Sequence, residues 1–165
     1  MHRSVFLITF FLVSTVWAQP IPPDEGRFLQ LGLAVAPGLG MQVGYVGPRS
    51  IYTIEGMGYA DASPSFAGGE KSLQLSAAFG AALRLTGMLR TLGNAPLPYD
   101  LDIGLRAGPS LLFTSNETRA QKNQRFGLFL EPFFRAISAF GKRQFFFGEF
   151  GLHRPFLRAG LWFAF

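Results

Sequence analysis

Arg158-Ala159-Gly160-Leu161-Trp162-Phe163-Ala164-Phe165 are the last eight residues of the chain, and their period decides the fold. Ala159, Leu161, Phe163 and Phe165 fall on one parity, while Arg158 and Gly160 fall on the other. A period of two belongs to a strand whose faces meet different surroundings. Moving back along the chain, the same pattern recurs. Leu101, Ile103, Leu105, Ala107, Pro109, Leu111 and Phe113 alternate with Asp102, Gly104, Arg106, Gly108 and Ser110. Leu73, Leu75, Ala77, Phe79, Ala81, Leu83 and Leu85 alternate with Ser72, Gln74, Ser76, Ala78, Gly80, Ala82 and Arg84. Leu29, Leu31, Leu33 and Val35 alternate with Gln30, Gly32 and Ala34.

Gly, Pro, Asn and Ser clusters cut this pattern into segments. Strands are expected near 27–36, 39–46, 50–60, 71–87, 99–114, 125–138, 144–153 and 156–165. The connections then fall at 37–38, 47–49, 61–70, 88–98, 115–124, 141–143 and 154–155. The expected fold is all-β: an antiparallel up-and-down barrel of about eight strands in one domain, 27–165. An even count puts both ends of the barrel chain on one side, with 37–38, 61–70, 115–124 and 154–155 on the other.

Alternation alone does not say which face points inward. Two features favour an inverted barrel, apolar outside and polar inside. The polar face is mostly Gly, Ala and Ser with isolated charges, which suits the narrow interior of an eight-stranded barrel. Those charges also balance, with Arg84, Arg106, Arg135 and Arg158 against Glu55, Asp102, Glu131 and Glu149. In an antiparallel hairpin, opposed residues share one index sum. Asp102 with Arg135 and Arg106 with Glu131 give the same sum, and both pairs are opposite in charge. Glu149 with Arg158, and more loosely Glu55 with Arg84, fit further hairpins. An unpaired charge in a closed interior is costly, so pairing there is close to obligatory. Tyr45, Tyr52, Tyr99, Phe163 and Phe165 lie on the apolar parity at one end, as an interfacial aromatic girdle does. Phe113 is the best candidate for a girdle at the other end.

Composition, with few charges and many aromatics, suits either an all-β soluble core or a lipid-facing surface. Charged residues are 15% of the chain, against about 25% in soluble domains. The chain has no Cys, so disulfides play no part. The net charge is +5, but the basic residues are spread singly, with no run longer than Lys142-Arg143. That pattern argues against nucleic acid as a partner. At the N-terminus, Arg3 precedes an apolar stretch from Val5 to Val13, and Val16-Trp17-Ala18 ends in a small residue. This is the order of a secretory signal peptide over 1–18, cleaved near Ala18. An extended, proline-containing lead-in is expected over 19–26.

With these residues in view, the chain resembles the small bacterial outer-membrane barrels of the OmpA transmembrane-domain and OmpX type. Arg158, Gly160, Phe163 and Phe165 resemble the C-terminal assembly signal of that class position by position. The resemblance implies a transmembrane β-barrel with a packed polar lumen in the outer membrane of a diderm bacterium. It implies insertion by the barrel-assembly machinery through the last strand. It also implies a monomer in contact with outer-membrane lipid and lipopolysaccharide, with a structural or surface-interaction role. Arg119, Lys122 and Arg125, in or beside the 115–124 loop, are candidates for lipopolysaccharide phosphates, with a solvated basic loop as the favoured reading, since surface charges are usually just solvated. The very short connections at 37–38 and 154–155, and the long one at 88–98, depart from the pattern.

The sequence offers little for catalysis. Lipid A-modifying enzymes occur among small barrels, and the deacylase type carries a His-x-Ser element. Here His153 is followed by Arg154-Pro155. Glu149, four residues away on the same parity, lies about 13 Å along the strand, too far to orient His153 directly. His153 is therefore expected to be a solvated or interfacial turn residue. Asp61, Glu70 and Glu117 are scattered acids rather than metal ligands, so no cofactor, metal or enzymatic activity is expected. A barrel this narrow fills its interior with side chains, which argues against an open pore. The competing class is an exported soluble lipocalin-like barrel that holds an apolar ligand.

Overall fold

A computed structural model describes residues 26–35, 38–63, 70–86, 88, 99–116, 121–139, 141, 143–153 and 155–165. The expected signal peptide over 1–18, and the lead-in apart from Gly26, lie outside the described residues. Eight strands form one closed antiparallel barrel in sequence order. They are β1 (Phe28–Val35), β2 (Leu39–Val46), β3 (Tyr52–Ser63), β4 (Glu70–Arg84), β5 (Asp100–Asn116), β6 (Gln121–Ala139), β7 (Gln144–Gly151) and β8 (Leu157–Ala164). β8 closes on β1, with Phe28 opposite Ala164 and Val35 opposite Leu157. The first and last strands thus place Phe28 and Ala164 at one end, called here the near end.

Strand partners can be followed once round the wall. Phe134 faces Phe150, then Leu157, Val35, Leu39, Ala62, Leu73 and Phe113. Phe113 faces Gln124. The circuit returns to β6 ten residues from its start, because the strands tilt as a closed barrel requires.

Two connections are shorter than the sequence suggests. β3 continues through Ser63 and β4 begins at Glu70, so Asp61 is a strand residue rather than part of a loop over 61–70. β5 runs to Asn116 and β6 starts at Gln121, which takes Lys122 out of the expected 115–124 loop and into β6. Polar residues in these stretches read as turn signals, but they continue the ladder, with Ser115 opposite Lys122 and Thr114 opposite Asn123. Arg119 and Glu117 lie outside the described residues.

The barrel is inverted relative to a soluble one. Leu29, Leu31, Leu33, Met41, Val43, Ile54, Leu75, Phe79, Ile103, Leu105, Leu128 and Phe150 are all exposed. Tyr45, Tyr52 and Phe165 are exposed at the near end, and the Tyr45 and Phe165 rings lie 6.4 Å apart. The alternate residues are buried and include Arg106, Arg135, Glu55 and Glu131. The interior also holds aromatic residues toward the near end. Phe28 packs 5.2 Å from Trp162 and 5.5 Å edge-on from Phe145, with Phe147, Val46 and Ile137 completing the cluster. This aromatic filling departs from the small polar face read along the other strands. It arises because β7 and β8 place Phe145, Phe147 and Trp162 on the inward parity.

Candidate functional site: a charge-balanced barrel interior

Five arginines (Arg49, Arg84, Arg106, Arg135, Arg158) and six carboxylates (Glu55, Asp61, Asp100, Asp102, Glu131, Glu149) are buried. The hairpin registers bring five opposite-charge pairs face to face: the expected Asp102 with Arg135, Arg106 with Glu131 and Glu149 with Arg158, and also Arg84 with Asp102 and Arg135 with Glu149. Each hairpin sets such pairs locally, since its turn fixes the register of both strands.

The guanidinium groups then reach beyond their register partners. Arg106 donates to Glu55 Oε1 at 2.5 Å, and also to Tyr59 Oη and Glu149 Oε2, while Glu131 is 3.9 Å away. Arg135 donates to Glu55 Oε2 at 2.7 Å, Asp102 Oδ2 at 3.1 Å and Glu149 Oε2 at 3.4 Å. Arg158 donates to Glu149 Oε1 at 2.8 Å and Glu131 Oε1 at 2.5 Å. Glu149 therefore accepts from three arginines and is the hub of the interior. Charge-assisted bonds of this kind are roughly twice as strong as neutral ones, and the fork of each Arg lets one cation serve several acids.

Glu55 and Arg84 are not brought together. β3 and β4 set Glu55 opposite Gly80, while the Arg84 amide donates to the Ile51 carbonyl beyond the end of β3. The Arg84 side chain binds Asp100 instead. Neither Asp100 nor Arg49 was singled out by the sequence pattern. Arg49 lies between β2 and β3, yet its guanidinium folds inward and grips Asp102 at 2.8 and 3.2 Å. The sequence carried no signal for Arg49, which falls in the expected 47–49 connection, where a charge ordinarily faces water.

Aromatic faces roof the cations. Arg106 lies 3.7 Å from the Phe133 centroid, Arg135 4.7 Å from Trp162, and Arg158 4.7 Å from Tyr59. Cation–π contact in a desolvated setting adds to the ion pairing. The Trp162 indole N–H donates to Gln30 Oε1 at 2.7 Å.

Toward the far end the interior changes character. Asp61, Gln74 and Ser76 are buried there. Gln74 donates to Ser76 Oγ at 3.2 Å. His153, expected as a solvated or interfacial turn residue, is half-buried with its ring turned inward. Its ring stacks on Phe129 at 3.9 Å, and its Nε2 meets Gln74 Nε2 at 2.7 Å. The His153 amide donates to Glu131 Oε1 at 3.3 Å. Its backbone carbonyl accepts from Arg158 at 3.2 Å, so the turn is tied to the charged network.

Of the C-terminal motif, Arg158 is in the network, Gly160 faces Gly32 across the β8–β1 seam, and Phe163 and Phe165 lie on the outward parity. Gly160 is required by close approach: a Cβ there would sit 2.5 Å from the Gly32 Cα and would also meet the Leu31 carbonyl.

The described exposed charges are all of one sign, whereas the buried set holds both. Among the described side chains, every carboxylate is buried. Arg27 and Arg143 are exposed at the near end, and Lys71, Lys122 and Arg125 at the far end. No group of three His, Asp or Glu residues suited to a metal is found among the described residues. Fold and interior together define a class: an eight-stranded antiparallel barrel with an ion-paired interior and an apolar exterior. Neither a protein-family model nor a curated protein matches this chain.

Proposed function

We propose that the protein is an integral outer-membrane β-barrel with a structural or surface-interaction role, no enzymatic activity and no open pore. The observation that carries this reading is the exterior. An apolar band covers all eight strands, and exposed cations lie at both ends of it. Such a band suits a hydrocarbon core about 25 Å tall, and the cations suit the anionic headgroups beside it. A closed barrel also leaves no strand edge round most of the wall, as spanning a bilayer demands.

In this reading, 1–18 is a signal peptide, and Arg158, Gly160, Phe163 and Phe165 form the signal that the assembly machinery uses. The salt-bridged lumen holds the wall together and blocks solute passage. Lys122 and Arg125 contact lipopolysaccharide phosphates from the far end.

The test is gel mobility with and without boiling, on protein extracted from outer-membrane fractions. The expected result is a detergent-requiring protein with a heat-dependent mobility shift. A protein soluble without detergent, with no shift, would overturn the reading in favour of an exported soluble barrel.

A further inference from the structure

The barrel wall is not level. β1, β2, β7 and β8 have 8 residues each, whereas β5 has 17 and β6 has 19. At about 3.3 Å per residue and a tilt near 40°, the short wall rises about 20 Å and β6 about 48 Å. A membrane-spanning strand needs about 9–11 residues, so the short wall is just under a full span.

The step falls between β6 and β7. Their pairing begins at Phe133 opposite Gly151, and beyond it the Leu152 amide reaches the Pro132 carbonyl at 3.3 Å. From Gln121 to Glu131, β6 has no pairing with β7. Pro132, which lacks an amide hydrogen, sits where the ladder stops. In an antiparallel strand, alternate residues turn their backbone groups to the same side. Gln124, Phe126, Leu128 and Leu130 thus present N–H and C=O toward the missing neighbour. Their side chains face outward, and Phe126, Leu128 and Leu130 are 72%, 80% and 66% exposed. The floor of this notch is formed by Leu152, which is exposed, and His153, stacked under Phe129. Above it Lys122 is exposed on the outward face of β6, and Arg125, opposite Leu112, is exposed on the other face of the strand.

We propose that this notch is a lateral binding site for one phosphorylated, multiply acylated lipid of the lipid A type, which deepens the outer-membrane reading and rests on it. Acyl chains lie against Leu128, Leu130 and Leu152, and the free backbone groups of β6 bond the lipid's amide and hydroxyl groups. Lys122 holds its phosphates from the same face, and Arg125 reaches them round the open edge of β6. The charge complementarity selects this occupant, because the exposed charges described at the far end are all cationic. A second copy in the same membrane does not fit. Antiparallel pairing of two β6 edges needs a two-fold axis through the sheet, and that axis inverts one copy.

The chain has no Cys, so single-cysteine reporters are clean. The full chain in detergent micelles is labelled with an environment-sensitive fluorophore at Leu128→Cys, in the notch, or at Val43→Cys, outward on β2. Each is titrated with lipid A, phosphatidylglycerol or phosphatidylcholine. Saturable binding of lipid A at position 128 only is expected, weakened about tenfold in the Lys122→Gln/Arg125→Gln variant. Equal responses at 43 and 128, or no effect of removing the cations, would overturn the site. Equal affinity for phosphatidylglycerol would overturn the choice of lipid. Co-purification of a polypeptide cross-linked through position 128 would replace the lipid with an added strand. Each variant is first checked for the heat-dependent shift. A shift with no saturable binding sinks only the notch, whereas its absence in the unmutated chain sinks the membrane reading itself.

Discussion

The middle of the barrel and its far end solve the problem of buried polarity in different ways. At mid-height, Glu55, Arg106, Arg135 and Glu149 come from four strands, and every charge meets at least two opposite charges. Toward the far end the interior relies on neutral contacts, with Gln74 donating to Ser76 and meeting His153 across the interior. Gln42, mid-strand opposite Gly32 and Tyr59, is a neutral group beside the ionic set, buried with both amide atoms unmatched by any hydrogen-bond partner among the described residues. A charge is tolerated in a closed interior where several strands can aim partners at it, whereas a neutral amide costs less when left unmatched.

The sharpest way to break this comparison is at its hub. Glu149→Gln keeps the shape and removes the charge that Arg106, Arg135 and Arg158 share. The cost is about 3–5 kcal/mol, because removing one partner of a buried ionic set leaves cations uncompensated. Thermal and urea unfolding of the detergent-solubilised protein, followed by circular dichroism, checks this. A loss below about 1 kcal/mol, the range of an exposed ion pair, would mean the middle is as forgiving as the far end.

A smaller effect is expected at the border between the two layers. His153→Ala removes the Gln74 contact and the Phe129 stack, but leaves the backbone bonds to Glu131 and Arg158 available. The loss expected is about 1 kcal/mol, the worth of one hydrogen bond or one ring contact. The same unfolding experiment reads it. A loss comparable to that of Glu149→Gln would place His153 inside the ionic network rather than above it.

What the sequence revealed of this interior follows from how far each contact reaches. The pairs Asp102–Arg135, Arg106–Glu131 and Glu149–Arg158 were readable because each lies within one hairpin, where turn and period fix the register. The links from Arg106 and Arg135 to Glu55 were not readable. They cross the interior from β5 and β6 to β3, and depend on the ten-residue stagger that only closure sets. Glu55 with Arg84 failed for a local reason: β4 ends its pairing with β3 at Leu83, so Arg84 turns to Asp100. Arg49 was hidden by its place in a turn, where a charge ordinarily faces water. The extra rungs at Asp61–Ser63 and Gln121–Gln124 were hidden because Ser, Asn and Gln serve turns and exposed ladders equally.

The smallest effect is expected at the neutral group beside the ionic set. Gln42 faces Tyr59 across β2 and β3 and lies against Gly32 and Phe147, in an inward row that otherwise runs through Gly32, Tyr59 and Ser76. Gln42→Leu keeps nearly the same volume and removes two buried polar atoms that have no protein partner. The expected change is a gain of up to about 1 kcal/mol, since replacing an unsatisfied group by an apolar one of similar shape is neutral or stabilising. The opposite sign would show that Gln42 bonds something outside the chain, such as ordered water reaching the height of the ionic set. A melting temperature in detergent, compared with that of the unaltered protein, decides between them.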